Sequence, residues 1–260
     1  MKYNCHAGHN APGRVACGSV SFLNESTENR LINNEVIRLL KADKHTVYNC
    51  TVNDAPSVRD NLIQIVKKCN KHEVDYDFSF HLNSAANDKK GNGKTTGSEA
   101  WISESGGSKD KKKAVAKRVL KNLEELGFKN RGVKETDELY VINHTNAKCI
   151  LFEVCFVDDK DDYLLYKKLG YKKIARAIAE GIVGHKIRDK RKGTVVATKK
   201  FKTLYSMNIR EKASTESKIV GSYKKGTVVS GVVKPNNWLL TDKGYVRIKG
   251  TKTTYLKEVK

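Results

Sequence analysis

Three residues in this chain stand where chemistry is possible. His9 lies in Ala7-Gly8-His9-Asn10, and Gly8 beside it lets the backbone come close to a bound ion. His81 ends the alternating run Tyr76-Asp77-Phe78-Ser79-Phe80-His81-Leu82, just before Asn83. Glu153 occupies the middle of Ile150-Leu151-Phe152-Glu153-Val154-Cys155-Phe156-Val157, where an uncompensated carboxylate costs several kcal/mol. Such a carboxylate needs a cation, a pairing partner or a function. Histidines and acids gathered at successive strand ends are the arrangement of a catalytic zinc, with three protein ligands, an open position and a carboxylate beside the attacking water. A lone histidine at a strand end is also commonly structural, and Glu153 can pair with one of the many lysines, so the residues alone leave both readings open. His6 is easily mistaken for a metal partner of His9, and His45, His72, His144 and His185 read as surface or capping groups.

Bringing positions 9, 81 and 153 together requires strands whose carboxyl ends share one edge. The sequence supplies alternating strand and helix signals. Val15 to Leu23 reads as a loop or short strand, and a helical stripe begins at Glu28 with Leu31, Ile32, Val36, Leu39 and Leu40. Thr46 to Val52 reads as a strand. A helix capped by Asp54 or Ser57 follows, with Pro56 in its first turn and Val58, Leu62, Ile65, Val66 and Cys69 on one face. Ser84 to Gly97 is polar, aperiodic and too long for an ordinary connection, which suits a substrate rim or a loop without such a role. Glu99 to Ser103 reads as a strand and Lys109 to Leu126 as a helix. Leu139 to Asn143 and Cys149 to Val157 read as strands, and a helix from Asp159 to Val183 breaks near Gly170. This alternation predicts an α/β fold, a mostly parallel twisted sheet flanked by helices, over residues 1–185. Residues 186–200 read as a basic linker, and 201–260 as a small all-β barrel of short strands.

Charge narrows the partners. The 260 residues carry 50 Lys plus Arg against 29 Asp plus Glu, a net charge of +21. Residues 191–260 hold 17 of the basic and only 4 of the acidic side chains. A surface of this sign attracts polyanions: nucleic acid, acidic membrane or an anionic wall polymer. The lysines are scattered along helices and turns without RNA-type aromatic motifs or a groove-reading helix, which argues against nucleic acid as partner. No apolar run approaches the roughly 18 residues of a spanning helix, so membrane insertion is not expected. The start of the chain has no apolar signal segment, and the six cysteines have no close Cys-x-x-Cys spacing, so reduced, mostly buried thiols and cytoplasmic synthesis are the expectation.

In order and spacing, several short segments resemble the zinc-dependent N-acetylmuramoyl-L-alanine amidases (amidase type 3) of phage endolysins and bacterial autolysins. They are Ala7-Gly8-His9-Asn10, Asn24-Glu25-Ser26-Thr27-Glu28-Asn29, Phe78 to Asn83, Gly97-Ser98-Glu99, Asn130-Arg131-Gly132-Val133 and Ile150 to Asp158. The resemblance covers about residues 1–184. It implies Zn2+ held by His9, a helix-start glutamate and His81, with Glu153 as the catalytic carboxylate. The family pattern of Glu followed four residues later by Asn selects Glu25 with Asn29 over Glu28 with Ile32. Asn10 stands where many members have glycine, so the loop there is expected to differ in shape while the implied ligand is retained.

Beyond the linker, Met207-Asn208-Ile209-Arg210, Ser217 to Gly221, Lys225 to Val229, Trp238 and Gly244-Tyr245-Val246 resemble bacterial SH3-like domains that attach lytic enzymes to cell walls. Asn83, Trp238 and Tyr245 are the candidate substrate or wall contacts, although Trp238 equally suits the core of a small barrel. The resemblances imply a peptidoglycan amidase that also binds anionic wall polymers. A phage endolysin of a clostridium-like Gram-positive host fits, made in the cytoplasm without a signal and reaching the wall through a holin. A chromosomal autolysin, a zinc peptidase acting on the stem peptide and a non-enzymatic polyanion binder are the alternatives.

Overall fold

The computed structural model describes residues 1–188, 199–251 and 253–259, and the chain divides into two units, 1–189 and 190–260. Most of the linker expected at 186–200 therefore lies outside the described residues. Among those residues no helix is long and apolar enough to cross a membrane.

The first unit contains β1 (Lys2–Ala7), α1 (Glu25–Ala42), β2 (Thr46–Asn49), α2 (Val58–Cys69), β3 (Tyr76–Asn83) and β4 (Ser98–Ile102). It continues through α3 (Lys109–Glu124), β5 (Asn130–Glu135), α4 (Tyr140–His144), β6 (Lys148–Phe156), α5 (Lys160–Leu169) and α6 (Tyr171–Val183). The six strands form one sheet in the order β2-β1-β3-β6-β4-β5. All neighbours are parallel except β4, which runs antiparallel to β6 and carries β5 parallel to itself. The sheet is thus mixed.

Two apolar layers hold it. The larger joins Ile32, Val36 and Leu40 of α1, Val119 and Leu123 of α3, and Ile174 and Ile178 of α6 to Phe78, Phe80, Ile150 and Phe152. Gly181 of α6 lets that helix close on α3, since a Cβ there would stand 2.6 Å from the Val119 Cα. The smaller layer packs Ile65, Val66 and Cys69 of α2 and Val141 and Ile142 of α4 on Cys149 and Leu151. Of the six cysteines, all free thiols, five are buried, which suits core packing.

Three local expectations change, and one strand appears that the sequence did not signal. The first helix begins at Glu25, because Asn24 caps it by accepting from the Thr27 backbone N–H at 3.0 Å, ahead of the apolar stripe. Leu139 to Asn143 holds a helix instead of a strand; its apolar run is too short to reveal a period, and Tyr140 stacks on His144 one turn later. Asn130–Glu135 is a strand without a strand-like apolar pattern, since it is the polar edge of the sheet and no residue in it is fully buried. Thr46 to Val52 shortens to Asn49.

The second unit is all β: β7 (Lys199–Thr203), β8 (Met207–Arg210), β9 (Ile219–Tyr223), β10 (Val228–Lys234), β11 (Trp238–Thr241), β12 (Gly244–Arg247) and β13 (Leu256–Val259). The strands pair antiparallel in the order β13-β7-β10-β11-β12-β8-β9. Strand β10 turns the corner: its first half pairs with β7 and its second with β11, and a Cβ on Gly231 between them would stand 2.4 Å from the Leu240 carbonyl. The bend wraps Phe201, Ile209, Val229, Leu239, Val246 and Leu256 into a small core. β13 and β9 are the two edges, so the closed SH3-like barrel expected from the sequence is not seen among the described residues. Strands β7 and β13, which the sequence reading passed over, carry few apolar residues, three lysines in β7 and a Lys-Glu pair in β13, and are mostly exposed outside Phe201, Thr203 and Leu256.

Candidate metal centre and active site

Strand pleat and register bring the candidates together. In the sheet, His81 of β3, Glu153 of β6 and Glu99 of β4 stand in direct register, so their side chains leave the same face. That face carries the smaller core as far as Leu151; two residues on, it presents Glu153. His9 follows β1 at φ 62°, a left-handed turn that swings its ring toward β3. Glu25, the first residue of α1, completes the group.

His9, Glu25 and His81 each offer a ligand atom, and these atoms lie within 4.8 Å of one another. Glu25 Oε1 is 3.2 Å from His9 Nε2 and 3.0 Å from His81 Nδ1, and it also accepts the Leu82 backbone N–H. Glu25 Oε2 accepts the Ser19 N–H at 3.0 Å. Burial alone would raise the Glu25 carboxyl, but hydrogen bonds to His81 and His9 outweigh it and hold it well below the usual carboxylate range. Burial lowers the His81 imidazole against the pull of Glu25, which favours the neutral, ligating form.

Two glycines make room. A Cβ on Gly8 would stand 1.9 Å from the His81 ring, and one on Gly18 would stand 2.4 Å from Glu25 Oε2. Beside the cluster, Glu153 Oε2 is buried without a hydrogen-bond partner. Burial pushes the Glu153 carboxyl well up, with Glu25 and Glu99 adding to the rise and Lys134 opposing it. Two imidazoles and one carboxylate within a few ångströms, next to an orphaned carboxylate oxygen, fit a catalytic zinc ion.

The surroundings explain several motif residues. Asn29, one turn after Glu25, donates from Nδ2 to the Gly8 carbonyl at 3.0 Å, while Arg30 Nη2 donates to the His9 carbonyl at 2.8 Å and to that of Val52 at 2.9 Å. Both side chains hold the backbone that carries His9. Asn10 is fully buried: its Nδ2 donates to the Val15 and Ala55 carbonyls, and its Oδ1 accepts from the Ala55 N–H and Asn61 Nδ2. The loop beside His9 is thereby pinned by the Asn10 side chain. Glu28, the other helix-start acid, accepts from the Tyr166 hydroxyl at 2.7 Å. His6 is buried against Ser79, outside the cluster, and burial lowers its pKa to about 3. His45 and His185 bond Asp43, and His72 and His144 stack on tyrosines.

The long loop 84–97 is tied to the turn that follows β6. Asp158 accepts the backbone N–H groups of Ala85, Ala86 and Asn87 at 3.0, 3.2 and 2.9 Å, and Asp161 accepts those of Asn92 and Gly93. Thr96 donates to Asp159, and the Gly97 N–H to Asp162. Asn83 lies at the root of this loop and donates from Nδ2 to Glu99 at 3.0 Å. Sequence reasoning missed the partners of that acid, Arg131 and Lys134; Gly97-Ser98-Glu99 and Asn130 to Val133 served only as motif fragments.

In the second unit, Trp238 is 2 % exposed and Arg247 lies over its ring at 5.4 Å. It forms part of a cleft of about 560 Å³ with Tyr205, Arg210, Arg247 and Tyr255. Tyr245 pairs with Leu240 and Arg210 in the sheet and is half-buried, outside that cleft.

Several known proteins are similar to this chain. A protein of Clostridium perfringens (strain 13 / Type A) is 29% identical over 236 residues, covering 87% of this chain and 67% of its own length. A 38.4 kDa Clostridium perfringens protein is 31% identical over 183 residues, 70% of this chain and 51% of the relative. The endolysin of Bacillus phage SPP1 is 31% identical over 122 residues, 46% of this chain and 44% of that protein. The chain thus spans about half to two thirds of the curated relatives it matches. Among solved structures, the catalytic domain of the CD27L endolysin targeting Clostridia difficile superposes with a TM-score of 0.62 at 26% identity, over 72% of this chain and 99% of that one. AmiC2 of Nostoc punctiforme, at 21% identity and a TM-score of 0.58, shares the fold over 71% of this chain and 96% of its own. The profile of one family, described as N-acetylmuramoyl-L-alanine amidase, matches residues 5–184, and over that stretch, well beyond half its length, the chain belongs to that family.

Proposed function

We propose that this chain hydrolyses the amide between N-acetylmuramic acid and L-alanine in peptidoglycan, with Zn2+ held by His9, Glu25 and His81. The observation that carries the reading is the three-ligand cluster facing the unpartnered Glu153 oxygen at one sheet edge. An amide is a poor electrophile with a poor leaving group, and a zinc ion supplies Lewis acidity for both the carbonyl and the attacking water. The chain's own residues do the rest. Glu153, with its raised proton affinity, takes the proton from the water at Oε2 and returns it to the departing nitrogen of L-alanine. Asn29 and Arg30 keep His9 aimed through its backbone. Loop 84–97, anchored by the aspartates after β6, forms the substrate rim, with Asn83 at its root.

The second unit serves as the wall-binding part, using its excess positive charge on anionic wall polymers and the cleft around Trp238, with Tyr245 nearby. Similarity to two endolysins supports a phage-encoded enzyme that acts on the wall of a Gram-positive host. The test is digestion of purified peptidoglycan before chelation, after it, and after zinc is restored. New L-alanine amino termini that vanish and return with the metal are expected. Cleavage inside the stem peptide, leaving L-alanine blocked, would sink the assignment in favour of a peptidase.

A further inference from the structure

Past Glu153 the sheet continues into a charged group that amide hydrolysis itself does not employ. Glu99 stands in register with Glu153, and β5 lies on the far side of β4. The Glu99 side chain is 2 % exposed. Its Oε2 accepts from Arg131 Nε and Lys134 Nζ, each at 2.6 Å, and its Oε1 from Asn83 Nδ2 at 3.0 Å and Trp101 Nε1 at 3.1 Å. One carboxylate between two cations leaves a positive charge in excess, and both cations reach solvent, at 30% and 34% exposure.

Arg131 uses only Nε on Glu99; among the described residues its two terminal nitrogens have no acceptor. The Phe156 ring, 5.0 Å from the guanidinium carbon, fixes the plane from below, as Trp101 fixes the Lys134 ammonium at 5.0 Å. A guanidinium held by one edge with its fork free is pre-organised for a second carboxylate.

We propose that Arg131, supported by Lys134, binds the free α-carboxylate of the acidic, γ-linked residue that follows L-alanine in the stem peptide. The inference rests on the amidase reading and deepens it by naming the substrate group that is recognised. Reach agrees. Strands lie about 4.8 Å apart, so β4, over which Arg131 meets Glu99, is roughly 10 Å from β3, which carries His81. The carboxylate in question lies six bonds from the scissile carbonyl carbon, about 7 Å in an extended chain. Arg131 leans back from β5 to Glu99, closing the remaining gap. Glu25, Glu99 and Glu153 crowd acids along this edge, and Arg131, whose nearest further acid is the buried Asp162 already engaged by the Gly97 and Phe156 N–H groups, offers the favourable place for an anion.

The experiment compares two synthetic muropeptides on the zinc-loaded full chain, identical except that the residue after L-alanine carries an α-carboxylate or an α-carboxamide. The carboxylate substrate is expected to show about tenfold higher kcat/KM, expressed in KM, as for loss of one charge-assisted fork. Arg131→Gln collapses that ratio toward 1, and Arg131→Lys, which keeps the charge but not the fork, retains part of it. Equal KM values in the unaltered chain, or an unchanged ratio in Arg131→Gln, overturn the proposal; the first comparison needs no variant to fold. If neither muropeptide is cut at the L-alanine amide, the amidase reading itself fails, and this proposal with it.

Discussion

Glu153 and Glu99 are neighbours across β6 and β4, yet they sit in opposite electrostatic conditions. Glu153 has an unpartnered oxygen and a raised proton affinity; Glu99 has four donors and, despite burial that would raise it, is held low by Arg131 and Lys134. Two carboxylates pushed apart in this way divide naturally into a proton carrier and a fixed anion. Glu153→Gln is therefore expected to lower kcat about 10³-fold while leaving zinc content and the unfolding midpoint near those of the parent. A fall of less than tenfold would remove Glu153 from the proton-transfer role. For Glu99 the sign of the pH dependence follows from its lowered folded pKa. Its stabilisation is present above the unfolded value of 4.5 and fades as pH falls through the folded one. Glu99→Gln should be less stable than the parent at pH 7, and the gap should narrow below about pH 4.5 in denaturant titrations. A gap that stays constant down to pH 3 would contradict the ion-pair account.

Among the elements, the turn after β6 does more than connect. Asp158 accepts three backbone N–H groups from a loop in which Ala85 and Asn87 hold φ of 76° and 54°, conformations that side chains other than glycine's adopt at a cost. Asp158→Asn should cost about 2–3 kcal/mol in urea unfolding, since charge-assisted bonds to strained backbone are lost together. It should also raise KM for peptidoglycan, and an unchanged KM would separate the loop from substrate binding. Elements with strong periodicity were legible in the sequence: α2, α3, β3, β6 and the α5–α6 break at Gly170. The proposed ligands were legible as candidates because His9, Glu25 and His81 sit at element ends, in motifs whose order is informative, and the fold brings the three together. What the sequence did not disclose has a physical cause in each case. β5 is a polar edge strand with no apolar face to alternate. α4 is a single turn, shorter than a helical period needs. The reversal of β4 against β6 depends on pairing across some 50 residues, and with it the Glu99–Arg131–Lys134 group, whose members lie 32 to 35 residues apart.

For the whole molecule, the net charge of +21 gathers disproportionately in residues 191–260, a segment that includes the open β sheet. Retention of the full chain on purified Gram-positive walls should weaken steadily as salt rises from 0.05 to 0.5 M, conditions taken as roughly spanning Debye lengths from above 10 Å to about 4 Å. Binding indifferent to salt would shift the explanation from overall charge to the cleft around Trp238. In the first unit, the strand that carries the proposed base runs directly into the four aspartates that anchor the rim. Base and anchors are consequently one contiguous stretch of sequence, while the loop they hold lies more than fifty residues earlier, so loop and anchors cannot drift independently. Anyone exchanging rims between such enzymes should transplant residues 84–97 together with 158–162, since a loop moved alone would arrive without its anchors.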